Sequence, residues 1–287
     1  MNFVRSIKEM LSDASTGIKR TKKDYKPKLQ NIWENGQNYG TAIHIPVLHE
    51  NLRWRNGYLY VLTGFPGAGK SQFALWLAVL RAKNEGIKIG MYSPENYPAE
   101  NLIEEIMAVY LGKPIDGKYH GKATQEEFKE AWEFVSNHFE IIEFEDTPSL
   151  NDVLGAFSTV ECGMYIIDPF NSIIEGADQK QNGISQYLKM SLTQMKHFAV
   201  SYNVPLLVIE HPKSVTNQAD GQRPSPSPSM IYGGSMWWNK VDIFVSIDRD
   251  IFGESRTVDI QIHKVKLQRL NGRPGFVQLT YNNGRYE

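Results

Sequence analysis

Cysteine is nearly absent from this 287-residue chain, in which Cys162 stands alone. One thiol cannot close an internal disulfide, and it excludes a cysteine-based zinc site. Cys162 lies beside an apolar strand candidate, where a free cysteine packs as a small hydrophobe. Long apolar runs are missing too. No window approaches the roughly 18 consecutive apolar residues of a membrane span. The opening stretch MNFVRSIKEMLSDASTGIKR has no continuous apolar signal segment. These absences lead us to expect a cytoplasmic protein with no membrane partner. Charge of one sign is also lacking: 31 Lys and Arg face 32 Asp and Glu, for a formal net charge of −1. That is not the balance of a monomer that coats nucleic acid, so any DNA binding has to come from local clustering.

What is present is ordinary for a soluble globular enzyme, with 41% hydrophobic and 22% charged residues. The length suffices for one large α/β domain with an arm, or for two small domains. Residues 1–42 read as an arm and linker: a short amphipathic helix candidate, Phe3 to Leu11, then the basic run TGIKRTKKDYKPKLQN. Residues 43–287 read as one domain. From Tyr58 onward, apolar runs ending at Thr63, Tyr92, Phe144, Asp168 and Glu210 alternate with helix-period segments, the signature of a mostly parallel sheet with crossover helices. After Pro224 the pattern becomes VDIFVSID, RTVDIQIHKV and GFVQLTY, an antiparallel extension of the same sheet. The polar stretches Gly176–Gly183 and Pro212–Ser229 break the rhythm, and each follows the carboxyl end of a strand, where open α/β sheets place ligand-binding loops.

Between a strand and a helix lies GFPGAGKS, the phosphate-binding pattern G-x-x-x-x-G-K-S. Its glycines let backbone N–H groups turn inward around phosphates, Lys70 neutralises their outer oxygens, and the Ser71 hydroxyl ligates Mg²⁺. The expected nucleotide-binding set is Gly64, Pro66, Gly67, Ala68, Gly69, Lys70, Ser71 and Gln72, with ATP and Mg²⁺ as cofactors. Hydrolysis by such a site also needs a carboxylate near the metal at the end of a neighbouring strand, and YIIDPF supplies Asp168. On pattern alone, Asp168 is otherwise a turn-capping residue. In MYSPENYP, Glu95 follows a strand and can reach the γ-phosphate as a base for water; it also suits the role of an acid ahead of the next helix. VPLLVIEHPKS brings His211 to the same edge, as a γ-phosphate sensor or as a satisfied core histidine.

The pieces GYLYVLTGFPGAGKS, MYSPENYP, YIIDPFN, LLVIEHPKS, MIYGGSMWWNKVDIFVSIDRD and KVKLQRLNGRPGFVQLTYNNGRY, in this order, resemble the motor domain of superfamily 4 ring helicases. This is the DnaB group, and the wording is nearest its Twinkle-like and phage primase-helicase branch. The resemblance runs from about Ile43 to the C-terminus and implies a RecA-like P-loop fold. It makes Glu95 the catalytic glutamate, Asp168 the Walker B acid and His211 the sensor. Arg249 takes the place of an arginine finger that enters the neighbouring subunit's site, where a guanidinium stabilises transition-state charge. Relatives commonly carry Lys-x-Arg near the end of the fold as a second trans pair; here the wording is Lys264-Val-Lys266 with Arg269 beyond, so the second trans residue lies among these three.

By the same resemblance, the two polar loops face a central channel and hold single-stranded DNA. Lys180, Lys213 and Arg223 are their cations, and a hexameric ring would multiply a modest charge into a basic funnel. Trp237 and Trp238 fit core or subunit packing better than base stacking, because they lead into an apolar strand. The implied activity is ATP-dependent, 5′ to 3′ DNA unwinding by a replicative-type motor. Forty residues ahead of the motor cannot hold a primase, so priming would fall to a separate primase or replication protein. The branch suggests a phage or mobile-element origin. Two other readings remain at this point: a DNA-stimulated RecA-fold ATPase that does not unwind, such as a loader or recombination mediator, and a regulatory RecA-like ATPase that never touches DNA.

Overall fold

The computed structural model describes residues 25–37, 39–118, 120–175, 183–213, 224–250 and 255–287. The expected helix Phe3 to Leu11 lies outside them. The chain forms two compact units, Met1–Asn38 and Tyr39–Glu287. In the first, α1 (Lys26–Asn35) starts with proline in its first turn, a position where the missing N–H is harmless, and leaves Leu29, Ile32 and Trp33 exposed. The second unit begins a few residues before the expected boundary at 43. The reason is local pairing: β1 (Thr41–Ala42) is antiparallel to β2 (Arg53–Trp54), and Gly40 N–H donates to the Leu270 carbonyl at 3.1 Å.

The second unit is built on a nine-stranded sheet in the order β11-β10-β9-β8-β3-β7-β6-β4-β5. Its strands are β3 (Leu59–Thr63), β4 (Ile89–Tyr92), β5 (Phe139–Ile141), β6 (Met164–Ile167), β7 (Leu206–Glu210), β8 (Ile243–Asp248), β9 (Thr257–Val265), β10 (Gly275–Asn282) and β11 (Arg285–Tyr286). Strands β3 to β8 run parallel and β9 to β11 antiparallel, so the expected parallel sheet with an antiparallel extension is what the chain forms. β5 stops at Ile141 because Phe144 turns back onto the Tyr92 ring, 5.7 Å away edge to face.

Helices cover both faces, and strand alternation sorts the core between them. Leu62 and Ile209 face α2 (Lys70–Glu85), α3 (Ala99–Leu111) and α4 (Gln125–His138), where Phe73, Ile106 and Val135 meet them. Val61 and Val208 face α5 (Leu150–Ser158) and α7 (Ile184–Tyr202), with Phe157, Leu192 and Met195. β3 is buried along its whole length, as a central parallel strand covered on both faces must be. Short helices α6 (Asn171–Glu175) and α8 (Gly234–Lys240) follow β6 and precede β8. In α8, Trp237 is fully buried, meets Phe170 edge to face and donates its indole N–H to the Tyr232 carbonyl at 3.1 Å. Burying such a side chain is worth roughly 1.5–3 kcal/mol. Trp238 is 41% exposed, so the two tryptophans divide between core and surface. The last helix, α9 (Gln268–Asn271), links β9 to β10.

β7 ends on a buried acid. Glu210 is 4% exposed, and its Oε2 has no hydrogen-bond partner among the described residues. Burial pushes its carboxyl up from 4.5 to about 8. The folded state therefore holds this proton where the unfolded chain has released it. Stability from this group is highest below about pH 4.5, falls as pH rises toward 8, and levels off above. Glu210→Gln keeps the shape and removes the titration. Urea unfolding of both proteins near pH 5 and near pH 8 should show a smaller loss for the variant, and equal losses would refute the assignment.

Candidate functional site

Leu59–Thr63 delivers the phosphate loop to the carboxyl edge of the sheet, and α2 starts from it at Lys70. Two of its residues have to be glycine. Gly69 has φ 95°, and a Cβ there would lie 2.7 Å from the Tyr286 hydroxyl; a Cβ on Gly64 would lie 2.4 Å from the Ile247 carbonyl oxygen. No side chain caps the start of α2, so its first-turn N–H groups are left to serve an anion. Lys70 is buried, with its ammonium 3.2 Å from the Phe65 carbonyl oxygen. Burial lowers its pKa, while Asp168 and Glu95 oppose that shift, so both carboxylates sit within electrostatic reach of the ammonium.

The neighbouring strands complete the edge. Asp168 follows β6, is 4% exposed, and donates its backbone N–H to the Tyr92 carbonyl at the end of β4 at 2.9 Å. Burial raises its carboxyl to about 6; the Ser71 hydroxyl, bonded to it, and Lys70 pull the other way. Ser71 and Asp168 thus meet as two hard oxygen donors, a fit for a Mg²⁺ ion that takes its remaining ligands from phosphate and water. Glu95 sits on a single helical turn, Pro94–Asn96, just after β4, with its side chain 57% exposed. Its Oε1 lies 3.7 Å from His211 Nε2. Burial, then the Lys70 charge, push His211 down to about 4, so at neutral pH the contact joins a carboxylate to a neutral imidazole and is not an ion pair.

In the single chain Arg249 lies beside its own phosphate loop: its Nε–H donates to the Gly67 carbonyl at 3.0 Å, and its guanidinium lies 5.7 Å from the Tyr281 ring centre. The physical reason is the parallel pairing of β8 with β3, which brings the end of β8 alongside the loop that follows β3. Tyr281 and Tyr286 are site residues that motif reading missed. Their rings are 5.3 Å apart, and the Tyr286 hydroxyl donates to the Gly69 carbonyl at 3.1 Å. They come from β10 and β11, over 200 positions away, and carry no local signal beyond aromatic residues in terminal strands. Gln72 reaches the same strands, with its amide 3.5 Å from the Gly284 carbonyl oxygen.

Lys264, Lys266 and Arg269 are not brought to this edge. Lys264 pairs with Phe244 near the start of β8, and the Lys266 N–H donates to the Asp242 carbonyl, so these residues stand at the opposite edge of the sheet. They cannot serve their own chain's phosphate loop. Of the expected DNA-loop cations, Lys180 and Arg223 lie outside the described residues. Lys213 is exposed, with its ammonium 5.1 Å from the Tyr232 ring centre. A cleft of about 380 Å³ opens beside the Glu95 turn, between Asn96, Tyr97, Phe144 and Glu145, rather than over the phosphate loop. The chemistry-bearing side chains identify the site better than concavity does.

Fold and site together define a RecA-like P-loop ATPase domain. No protein-family model matches the chain. It is similar to the ATPase domain of G40P, with a TM-score of 0.73 at 17% identity over 92% of this chain and 98% of that one. It is also similar to a DnaB-like replicative helicase whose structure was described with its interactions with primase, with a TM-score of 0.70 at 16% identity over 99% and 71%. The RadB recombinase shares the fold more distantly, with a TM-score of 0.54. In sequence, the chain is 25% identical over 261 residues to the chloroplastic and mitochondrial Twinkle homologue of Arabidopsis thaliana, matching 86% of this chain but 36% of that relative. The chain therefore spans about a third of that protein's length. The solved structures share the RecA-like ATPase fold with this chain, and the sequence likeness is to a Twinkle homologue.

Because Arg249 is bonded to its own loop, Arg249→Ala should weaken nucleotide binding even in dilute, unassembled protein. The Gly67 bond and the Tyr281 contact act within the protein, so their loss should work through a loosened loop, as a several-fold rise in Kd. Titration with a fluorescent nucleotide at low protein concentration checks this. Unchanged affinity there, with turnover lost only in the assembly, would instead favour the role in a neighbouring subunit's site. Lys70→Ala should abolish binding or turnover in any state of assembly.

Proposed function

We propose that this chain is the ATP-hydrolysing motor of a ring-forming, replicative-type DNA helicase. The observation that carries the reading is convergence: Lys70, Ser71, Glu95, Asp168 and His211 come from four parallel strands to one sheet edge, with both acids in electrostatic reach of Lys70. Lys70 and the free N–H groups of α2 bind and orient the triphosphate. Mg²⁺, held by Ser71 and Asp168, supplies charge neutralisation when bound. Glu95 is the exposed one of the two acids, so it can meet water, and it orients and deprotonates the attacking molecule. His211, neutral and 3.7 Å from Glu95, links that acid to the Pro212–Lys213 segment, where Lys213 N–H donates to the Met230 carbonyl at 2.7 Å. Arg249, bonded to the Gly67 carbonyl, and Tyr281 beside it stand next to the phosphate loop.

A hexameric ring is part of this reading. Lys264, Lys266 and Arg269 stand away from their own phosphate loop, which suits contact with another copy's nucleotide, and the likeness to DnaB-like helicases supports a ring around single-stranded DNA moving 5′ to 3′. A separate primase or replication protein is the corresponding partner, and a phage or mobile-element source fits the same branch. The likeness to RadB gives the alternative of a DNA-stimulated ATPase that does not unwind.

The test is ATP turnover with and without single-stranded DNA, followed by strand displacement from a substrate with a 5′ tail. Stimulation and displacement are expected. Stimulation without displacement favours the recombinase-like alternative, and no stimulation refutes both. Glu95→Gln should retain nucleotide binding and lose roughly a hundredfold or more in turnover, the range for removal of a general base.

A further inference from the structure

The edge opposite the phosphate loop carries a charge arrangement that the site above does not use. Asp242, just before β8, is fully buried. Its Oδ2 accepts from the Leu59 N–H at 2.9 Å and from the Lys196 ammonium at 2.5 Å, and its Oδ1 accepts from the Lys266 ammonium at 3.2 Å. One buried carboxylate therefore holds two lysines. β3, five residues long at about 3.3 Å each, sets this cluster roughly 15 Å from its own phosphate loop.

The two lysines are not equivalent. Lys196 is anchored twice more: it donates to the Gly57 carbonyl at 2.6 Å and lies 5.0 Å from the Tyr58 ring centre. Its side chain is 25% exposed against 57% for Lys266. Asp242 is the described partner of the Lys266 ammonium. Lys264 is committed elsewhere, donating to the Trp238 carbonyl beneath its own contact with the Trp238 ring. A buried carboxylate stripped of its counter-ion is strongly unfavourable, so a lysine can leave Asp242 only if another stays. Lys196 is built to stay and Lys266 is built to leave.

We propose that Asp242 and Lys196 are positioning residues for Lys266: Asp242 holds its ammonium ready, and Lys196 keeps Asp242 neutralised when Lys266 moves to the anionic phosphates of a nucleotide in a neighbouring copy. This rests on the trans role given to the opposite edge, and it selects Lys266 over Lys264 and Arg269. With Lys196 removed, Lys266 becomes the sole counter-ion and is pinned. With Asp242 neutral, Lys266 is released.

The first readout needs no nucleotide: acylation labelling of lysine amines in the full chain, read by mass spectrometry. Labelling of Lys266 should fall several-fold in Lys196→Met, stay near wild type in Lys196→Arg, and rise in Asp242→Asn. The second is ATP turnover by the assembled protein. Lys196→Met should lower kcat several-fold with nucleotide affinity unchanged, Lys196→Arg should restore it, and Lys196→Met should cost nothing further in the Asp242→Asn background. Equal Lys266 labelling in all four proteins overturns the positioning pair whatever the turnover. Shifted labelling with full turnover in Lys266→Met overturns instead the trans role on which it rests.

Discussion

The parallel register of β3 with β7 and β8 is the constraint on which the rest depends. Thr63 lies opposite Glu210 on one side and Ser246 on the other, and the Thr63 hydroxyl donates to the Glu210 carbonyl at 2.7 Å. That register ends β3 and β7 at the same height, with β8 running two residues further. The phosphate loop therefore leaves β3 beside His211 and below Arg249. β6, paired with β7 and β4, brings Asp168 to the same level, and the Asp168 N–H bond to Tyr92 ties the Glu95 turn to it. A slip of one residue in any pair would send the alternating core to the wrong face and dismantle the site with it.

The same strands define two chemically different edges. At the carboxyl edge, a buried ammonium stands among acids and an unfilled helix N-terminus, a place for an anion. At the other, Asp242 bonds the first N–H of β3 and gathers lysines around it. On the proposed function, one edge takes phosphate and the other offers cations to the next copy, head to tail. Heterologous contacts of this kind close into rings when the rotation allows. A net charge of −1 is compatible with the proposed role on DNA, because local placement, rather than total charge, decides what each face attracts.

Much of the fold was legible in the sequence. Short apolar runs bounded by polar turns announced β3, β4, β6 and β7, because strands buried on both faces admit nothing else. Gly64 to Ser71 was legible because positive φ and close backbone approach leave few residue choices. Asp168 and Glu95 were legible because each directly follows a strand, and strand ends share an edge in a parallel sheet. The contacts of Arg249 were not legible, because a residue just beyond a strand end has no preferred direction in sequence. Its partners, Gly67 and Tyr281, are distant in the chain. Tyr286 and Lys196 were invisible for the same reason.

The sequence by itself determined the elements, the phosphate loop and the order of the acids along the chain. These follow from periodicity and local backbone chemistry, which act over a few residues. Only the tertiary structure decided that Arg249 bonds the Gly67 carbonyl, that Tyr286 bonds the Gly69 carbonyl, and that Asp242 holds two lysines of unequal exposure. Those facts depend on which strands become neighbours and in what register, a choice made by burial of the whole sheet rather than by any segment of it.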